Sequence, residues 1–265
     1  MTKKIHQPVY DSIAAFRASL QSEGGAIGPF MITSDAAFVE TAGHAGYDFV
    51  VLDMEHGPGT YLNLQNLIRA ANVSGVMPVV RVPRGTDIYI DRALDVGAGA
   101  VLIPQIDNAA QAREAIAAAK FNPRGNRGVC RFVRAGGYGS IPGSDYFSHA
   151  NDTMVILQAE GKKAVDNIDE ILDVEGLDVL FIGPYDLSGS LGLIGQIDHP
   201  TVVACMKDII RKANEKNVIV GTFADSAENA AKWRDLGVRF LGYSCDTGIF
   251  FNAAKADVDT FHKDR

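Results

Sequence analysis

Eight short apolar runs, at residues 26–32, 48–53, 77–82, 100–104, 153–158, 178–182, 218–221 and 239–242, alternate along this chain with stretches of helical periodicity. Strand–helix alternation makes the strands parallel, and eight repeats is the number that closes a sheet on itself. The expectation is an α/β chain folded as one (β/α)8 TIM barrel over residues 1–265, a length that such a barrel fills without remainder. An open doubly wound sheet is the structural alternative. It would carry a Gly-rich fingerprint after its first strand, and Gly24-Gly25-Ala-Ile-Gly28 precedes that strand instead.

Residues 34–45 and 60–73 illustrate the helical stretches, with Ser34 and Asp35 as N-cap candidates. An extra helix over residues 11–22 would plug the N-terminal end of the barrel. Another, over 246–263, carries Phe250, Phe251, Val258 and Phe261 as its apolar residues. Residues 121–151 break the rhythm: they are rich in Gly and Arg where a loop of about 2–6 residues is expected, so the segment reads as irregular and as functional or interfacial.

Composition narrows the partner. A net charge of −7 and a pI near 5.3 disfavour nucleic acid and anionic membrane, which demand a basic surface, and leave a small molecule. Three distant cysteines, Cys130, Cys205 and Cys245, support neither a disulfide framework nor a Cys-rich metal site. With no apolar stretch behind the N-terminal lysines and no apolar run long enough to span a bilayer, the expected location is the cytoplasm.

A barrel gathers its strand ends on one face, and chemistry sits there. Strand two ends in Asp53, Glu55 and His56, strand three in Arg81 and strand four in Pro104-Gln105. Strand five ends in Gln158-Ala-Glu160, and strand six runs into Asp186. Glu160 and Asp186 thus come from adjacent strands and can converge, as a hard divalent cation held by one or two carboxylates requires. Either alone could equally cap the helix that follows it. Arg81 could be a structural ion-pair partner and His56 a satisfied surface imidazole, although Asp53 offers the latter an orienting carboxylate. A cation that polarises a carbonyl, an Arg for the oxyanion and a His that moves protons together suit an enolate. No strand carries the lysine that a Schiff base would need.

The motifs Leu52-Asp-Met-Glu-His-Gly-Pro58, Val79-Val-Arg-Val-Pro83, Leu94-Asp-Val-Gly97, Leu102-Ile-Pro104, Pro123-Arg-Gly-Asn-Arg-Gly128, Gln158-Ala-Glu160 and Phe181-Ile-Gly-Pro-Tyr-Asp-Leu-Ser188 resemble, in order and spacing, the HpcH/HpaI family of metal-dependent pyruvate aldolases. The resemblance implies a barrel of the phosphoenolpyruvate-utilising type that cleaves a 4-hydroxy-2-oxo acid to pyruvate, or a related 2-oxo acid, and an aldehyde. A 2-dehydro-3-deoxy sugar acid or a 4-hydroxy-2-oxo-diacid would fit. It implies that Glu160 and Asp186 hold Mg²⁺, Mn²⁺ or Co²⁺, that Gln158 and the backbone at Tyr185 and Asp186 bind the 2-oxo acid, and that Arg81 stabilises the enolate. His56 would be the base, through a water, with Asp53 beside it, and Asp95 matches a family carboxylate that raises the basicity of this His.

Asp95 closes the helix after strand three, toward the opposite end of the barrel from His56. It could reach a histidine only across a subunit interface. Relatives are commonly hexamers, trimers of dimers, in which the last helix is exchanged between subunits, so the resemblance implies a homo-oligomer. The chain departs from the family pattern at Met54, Gly57, Gly59, Gly161 and Tyr185, which puts the aldehyde in question. Alternatives are a citramalyl-CoA or malyl-CoA type lyase, an oxaloacetate decarboxylase, and, from a different class, a non-catalytic barrel that binds a 2-oxo acid.

Overall fold

The computed structural model describes residues 8–263; the N-terminal lysines and His6 lie outside the described residues. Eight strands, β1 (Ala26–Met31), β2 (Phe49–Asp53), β3 (Met77–Arg81), β4 (Ala100–Ile103), β5 (Met154–Ala159), β6 (Val179–Ile182), β7 (Ile219–Ala224) and β8 (Phe240–Cys245), pair in sequence order. All the pairs are parallel, and β8 pairs with β1 to close the barrel. The expected (β/α)8 architecture is therefore the observed one.

Alternation along each strand divides the core in two. Val51, Val79, Leu102, Ile156 and Phe181 point inward and meet in the lumen, while Val50, Leu52, Val80 and Val101 point outward against the helices. The helix Pro8–Gln21 seals the N-terminal end of the lumen. Its Ile13, Phe16 and Leu20, at helical spacing, are buried, and the Phe16 ring meets Phe49 edge-on at 5.6 Å and Phe240 at 6.2 Å. Gly28 is required beside this contact, since a Cβ there would lie 2.0 Å from the Phe49 carbonyl oxygen.

Helix starts follow the side chains that can satisfy their free N–H groups. Asp35, not Ser34, caps Ala36–His44 by accepting from the Ala37 N–H, and Thr60 and Asn63 form a reciprocal capping box for Tyr61–Ser74. Both β7 and β8 run three residues past their apolar runs. Backbone pairing continues through the polar positions: Thr222 stays in register with Leu241 and its hydroxyl donates to the Ile182 carbonyl.

The segment 121–151 corrects the expectation of an irregular loop. It contains a 3-10 turn at Arg134–Gly139 and an α-helix at Gly143–Ala150, and it buries a small core of its own from Phe121, Ile141, Tyr146 and Ala150. The helix is short and begins in polar residues after Pro142, so it offers little periodicity to read. Lys120, buried at the root of the segment, ties it down by donating to the carbonyls of Asn151 and Thr153; burial lowers its pKa to about 8.

The last helix, Asp246–Phe261, starts from a buried anchor and then leaves the core. Asp246 accepts from the N–H groups of Ile32 and Thr33 and from the Thr33 hydroxyl, which fastens the loop after β1 to the start of the helix. Beyond it, Phe250, Phe251, Val258 and Phe261 are all more than half exposed. Among the described residues no helix is long and apolar enough to cross a membrane.

Candidate active site

The C-terminal ends of the strands enclose a cavity of about 310 Å³. His56 and Arg81 line one side of it, and Gln158, Tyr185 and Asp186 line the other. Phe30, Phe181 and Phe223 supply an aromatic wall. Of the residues singled out in the sequence, His56, Arg81, Gln158, Tyr185 and Asp186 line this cavity, Asp53 and Glu160 stand behind it on Arg81 and Gln158, and Asp95 is bound elsewhere, to Arg127.

Asp53 and Arg81 occupy matched positions at the ends of β2 and β3, and this register brings their side chains together. Arg81 donates through Nε to Asp53 Oδ1 at 2.9 Å and through a terminal nitrogen to Oδ2 at 2.6 Å, a two-point fork. Its other terminal nitrogen lies 3.3 Å from Glu55 Oε2, and its guanidinium sits 4.9 Å above the Phe30 ring. Asp53 Oδ1 also accepts from the backbone N–H groups of Glu55 and His56. Asp53 therefore holds Arg81 and the main chain of the His56 loop, and meets His56 at its backbone N–H rather than as an orienting partner of the ring.

Glu160 is buried on the opposite side. Its Oε1 accepts from the Gln105 N–H at 2.9 Å and its Oε2 from the Gln158 side-chain amide. Burial raises the carboxyl pKa to about 7, and the nearest charges acting on it, Asp186 and Glu55, are both acidic and push the same way. The hydrogen bonds from Gln158 and Gln105 only partly offset this. Glu55 is itself raised by burial, against the pull of Arg81 and His56. The side-chain amide oxygen of Gln158, Oε1, is buried with no hydrogen-bond partner, an acceptor left free on a residue that lines the cavity. Gly183 makes room for the carboxylate: a Cβ there would sit 2.7 Å from Glu160 Oε2. Among the described residues no group of three or more His, Cys, Asp or Glu is placed to hold a metal ion; the candidate donors remain the two carboxylates named from the sequence, Glu160 and Asp186.

Tyr185 stands at the rim, half exposed, with its hydroxyl donating to Asp225 Oδ2 at 2.8 Å and its ring against Phe223. Burial, then the Asp225 bond, push its pKa to about 12. Asp95 ends the helix Asp87–Asp95 and binds Arg127 of its own chain at 2.8 Å. Arg127 in turn is buried, stacked on Phe121 and near Asp91. Arg134 is bound to the Val96 carbonyl and Arg131 lies over Phe132. Arg127 and Arg134 are thus committed to the end of this helix, while Arg124 donates to the Asn151 carbonyl and remains exposed.

Three site residues have no role assigned from the sequence, although Gln105 is placed there at the end of strand four. Gln105 touches both acidic groups, and nothing about a Gln after Pro104 announces it. Asp225 follows β7, whose end was placed three residues too early. Gly183 belongs to a quoted motif, but its reason is steric and appears only with Glu160 in place.

Comparison with known proteins follows this geometry. Residues 26–253 match the family model HpcH/HpaI aldolase/citrate lyase. A 5-keto-4-deoxy-D-glucarate aldolase of Escherichia coli O6:H1 is 35% identical over 249 residues, covering 94% of this chain and 96% of that one. An HpcH/HpaI aldolase/citrate lyase family protein of Burkholderia cenocepacia superposes with a TM-score of 0.89 at 31% identity, over 94% of this chain and 99% of that one. The citrate synthase SbnG is similar as well, at 29% identity and a TM-score of 0.84, over 93% of this chain and 97% of that one.

Proposed function

The chain belongs to the HpcH/HpaI aldolase/citrate lyase family and is a carbon–carbon lyase, and from that premise we propose that it is a divalent-metal-dependent aldolase that cleaves a 4-hydroxy-2-oxo acid reversibly to pyruvate and an aldehyde. The observation that carries this reading is the buried Glu160 carboxylate, on which the acidic Asp186 and Glu55 act and which is hydrogen-bonded to Gln158, a residue lining the same cavity as His56, Arg81 and Asp186. A site of like charge this well buried calls for a cation. Two carboxylates with room for water and substrate oxygens fit Mg²⁺, Mn²⁺ or Co²⁺. That ion, when bound, polarises the 2-oxo group as a Lewis acid.

The chain's own residues do the rest. Gln158 and the backbone at Tyr185 and Asp186 hold the 2-oxo acid. Arg81, kept rigid by its fork to Asp53, places positive charge where the enolate oxygen develops, and the aromatic wall excludes water and strengthens that interaction. His56, on a loop held by Asp53, moves the proton through a water. The relatives named as aldolases of a keto-deoxy sugar acid support a sugar-acid substrate. A CoA ester is disfavoured, because two of the four arginines that would receive it, Arg127 and Arg134, are bound within the fold. The test is a metal-supplemented screen of pyruvate against a panel of aldehydes, read by mass.

His56→Ala should slow exchange of the pyruvate methyl protons by about 10²–10⁴-fold, the usual share of a positioned base, while divalent-cation affinity stays unchanged by calorimetry. Loss of that affinity would instead make His56 a ligand.

We further propose a homo-oligomer, a hexamer in the family pattern, in which the exposed phenylalanines of the last helix pack on a second copy and Asp95 reaches the partner's proton-transfer residues. Replacing Phe250 and Phe251 together by Glu should lower the mass measured by light scattering. A wild-type monomer with full activity would remove both the interface and the role of Asp95.

A further inference from the structure

Gln105 is one of four non-glycine residues, among those described, with a positive φ, at +59°. A side chain in this left-handed region is strained and persists only where the surroundings enforce it. Here the enforcing contacts all belong to the proposed active site. The turn swings the Gln105 N–H onto Glu160 Oε1 at 2.9 Å, while the next N–H, of Ile106, donates to the Gln158 carbonyl at 3.1 Å. The end of β4 is thereby stitched to the end of β5 through both the backbone and the carboxylate. The same backbone conformation sends the Gln105 side chain the other way, where its amide donates to Glu55 Oε1 at 3.4 Å. Glu55 lies 3.3 Å from Arg81, Arg81 grips Asp53, and Asp53 holds the His56 N–H. A continuous line of contacts therefore runs from Glu160 to the His56 loop, and Gln105 is the residue in it that contacts both carboxylates.

Building on the aldolase reading above, we infer that Gln105 is a positioning residue with two separable actions: its left-handed backbone aims the Glu160 carboxylate at the cation, and its side chain couples that carboxylate to the Glu55–Arg81–Asp53 group that holds the His56 loop. The first action needs the φ and the N–H but no side chain. The second needs the side chain alone. Glycine preserves the first and deletes the second; valine, whose β-branch opposes positive φ, strains the first as well.

The experiment compares wild type, Gln105→Gly, Gln105→Asn and Gln105→Val with two readouts: Mn²⁺ dissociation constants by electron paramagnetic resonance and exchange of pyruvate methyl protons at saturating Mn²⁺. Gln105→Gly and Gln105→Asn should bind Mn²⁺ within about twofold of wild type, since both tolerate the left-handed region, yet exchange protons several-fold more slowly. Gln105→Val should lose about fivefold or more in Mn²⁺ affinity, because its β-branch opposes the left-handed backbone that aims the N–H at Glu160. Valine binding Mn²⁺ as well as glycine does would remove the backbone action. Exchange at the wild-type rate in the glycine and asparagine variants would remove the side-chain action, a result obtainable even if the valine variant fails to fold. Wild type that neither binds Mn²⁺ nor exchanges pyruvate protons would overturn the aldolase reading itself.

Discussion

Glu160→Ala should abolish metal-dependent pyruvate release, with a fall of about 10³-fold or more in kcat/KM, because it removes one of the two carboxylates proposed to fix the cation. The same substitution should be gentle on the fold. Ionised Glu160 is buried beside Asp186 and Glu55, all of one sign, so removing it relieves repulsion. Against this, the Gln105 N–H and the Gln158 amide lose their acceptor, at a cost of about 1–3 kcal/mol if no water replaces it. The two terms oppose each other, and thermal melting should move only slightly in the absence of metal. Addition of Mn²⁺ should raise the melting temperature of wild type and leave the variant where it is, since only a state that binds the ion gains from it. Activity that survived the substitution, or exhaustive chelation of the wild type, would exclude the metal-enolate mechanism.

The parts of this molecule visible in its sequence are those that depend on patterns along one chain segment. Buried parallel strands are apolar on both faces, so β2 and β5 stand out as runs, and the residues that follow them, Asp53, His56, Gln158 and Glu160, can be placed at one end of a barrel before any coordinates exist. What could not be read depends on contacts between segments or on backbone torsion. The partner of Asp53 is Arg81, fixed by the register of β2 on β3, whereas proximity in sequence pointed to His56. Glu55 had no assignable role until Arg81 and Gln105 were seen on either side of it. Gln105 matters through a φ angle that its residue type disfavours, which no propensity argument would assign. Polar strand ends such as Thr222 and Ser244 concealed the full length of β7 and β8, because a strand that enters a functional site gives up the apolar pattern by which strands are recognised.

Arg81→Met should damage both stability and activity, and a second variant can separate the two effects. The Asp53 side chain is fully buried and Arg81 retains only 11% exposure, so removing the guanidinium strands a carboxylate away from water. The expected destabilisation is about 3–5 kcal/mol, seen as a lower denaturant midpoint. Asp53 would still accept from the Glu55 and His56 N–H groups, which softens the loss without neutralising the charge. Replacing both partners, Arg81→Met with Asp53→Leu, removes the stranded charge and should recover much of the stability, since a buried pair and an apolar pair of similar volume differ little. Activity should not return with it. On the proposed mechanism the positive charge that would meet the developing enolate is gone in both variants, a loss of about 10²–10³-fold in kcat. Arg81→Lys should fall between, because one ammonium cannot fill both oxygens of Asp53 while also facing Glu55 and substrate. If the double variant recovered activity along with stability, Arg81 would be a structural residue and the oxyanion would need another partner in the cavity. If the double variant stayed as unstable as Arg81→Met, the fork would be holding the His56 loop through Asp53, and the catalytic loss would have to be read as a displacement of that loop.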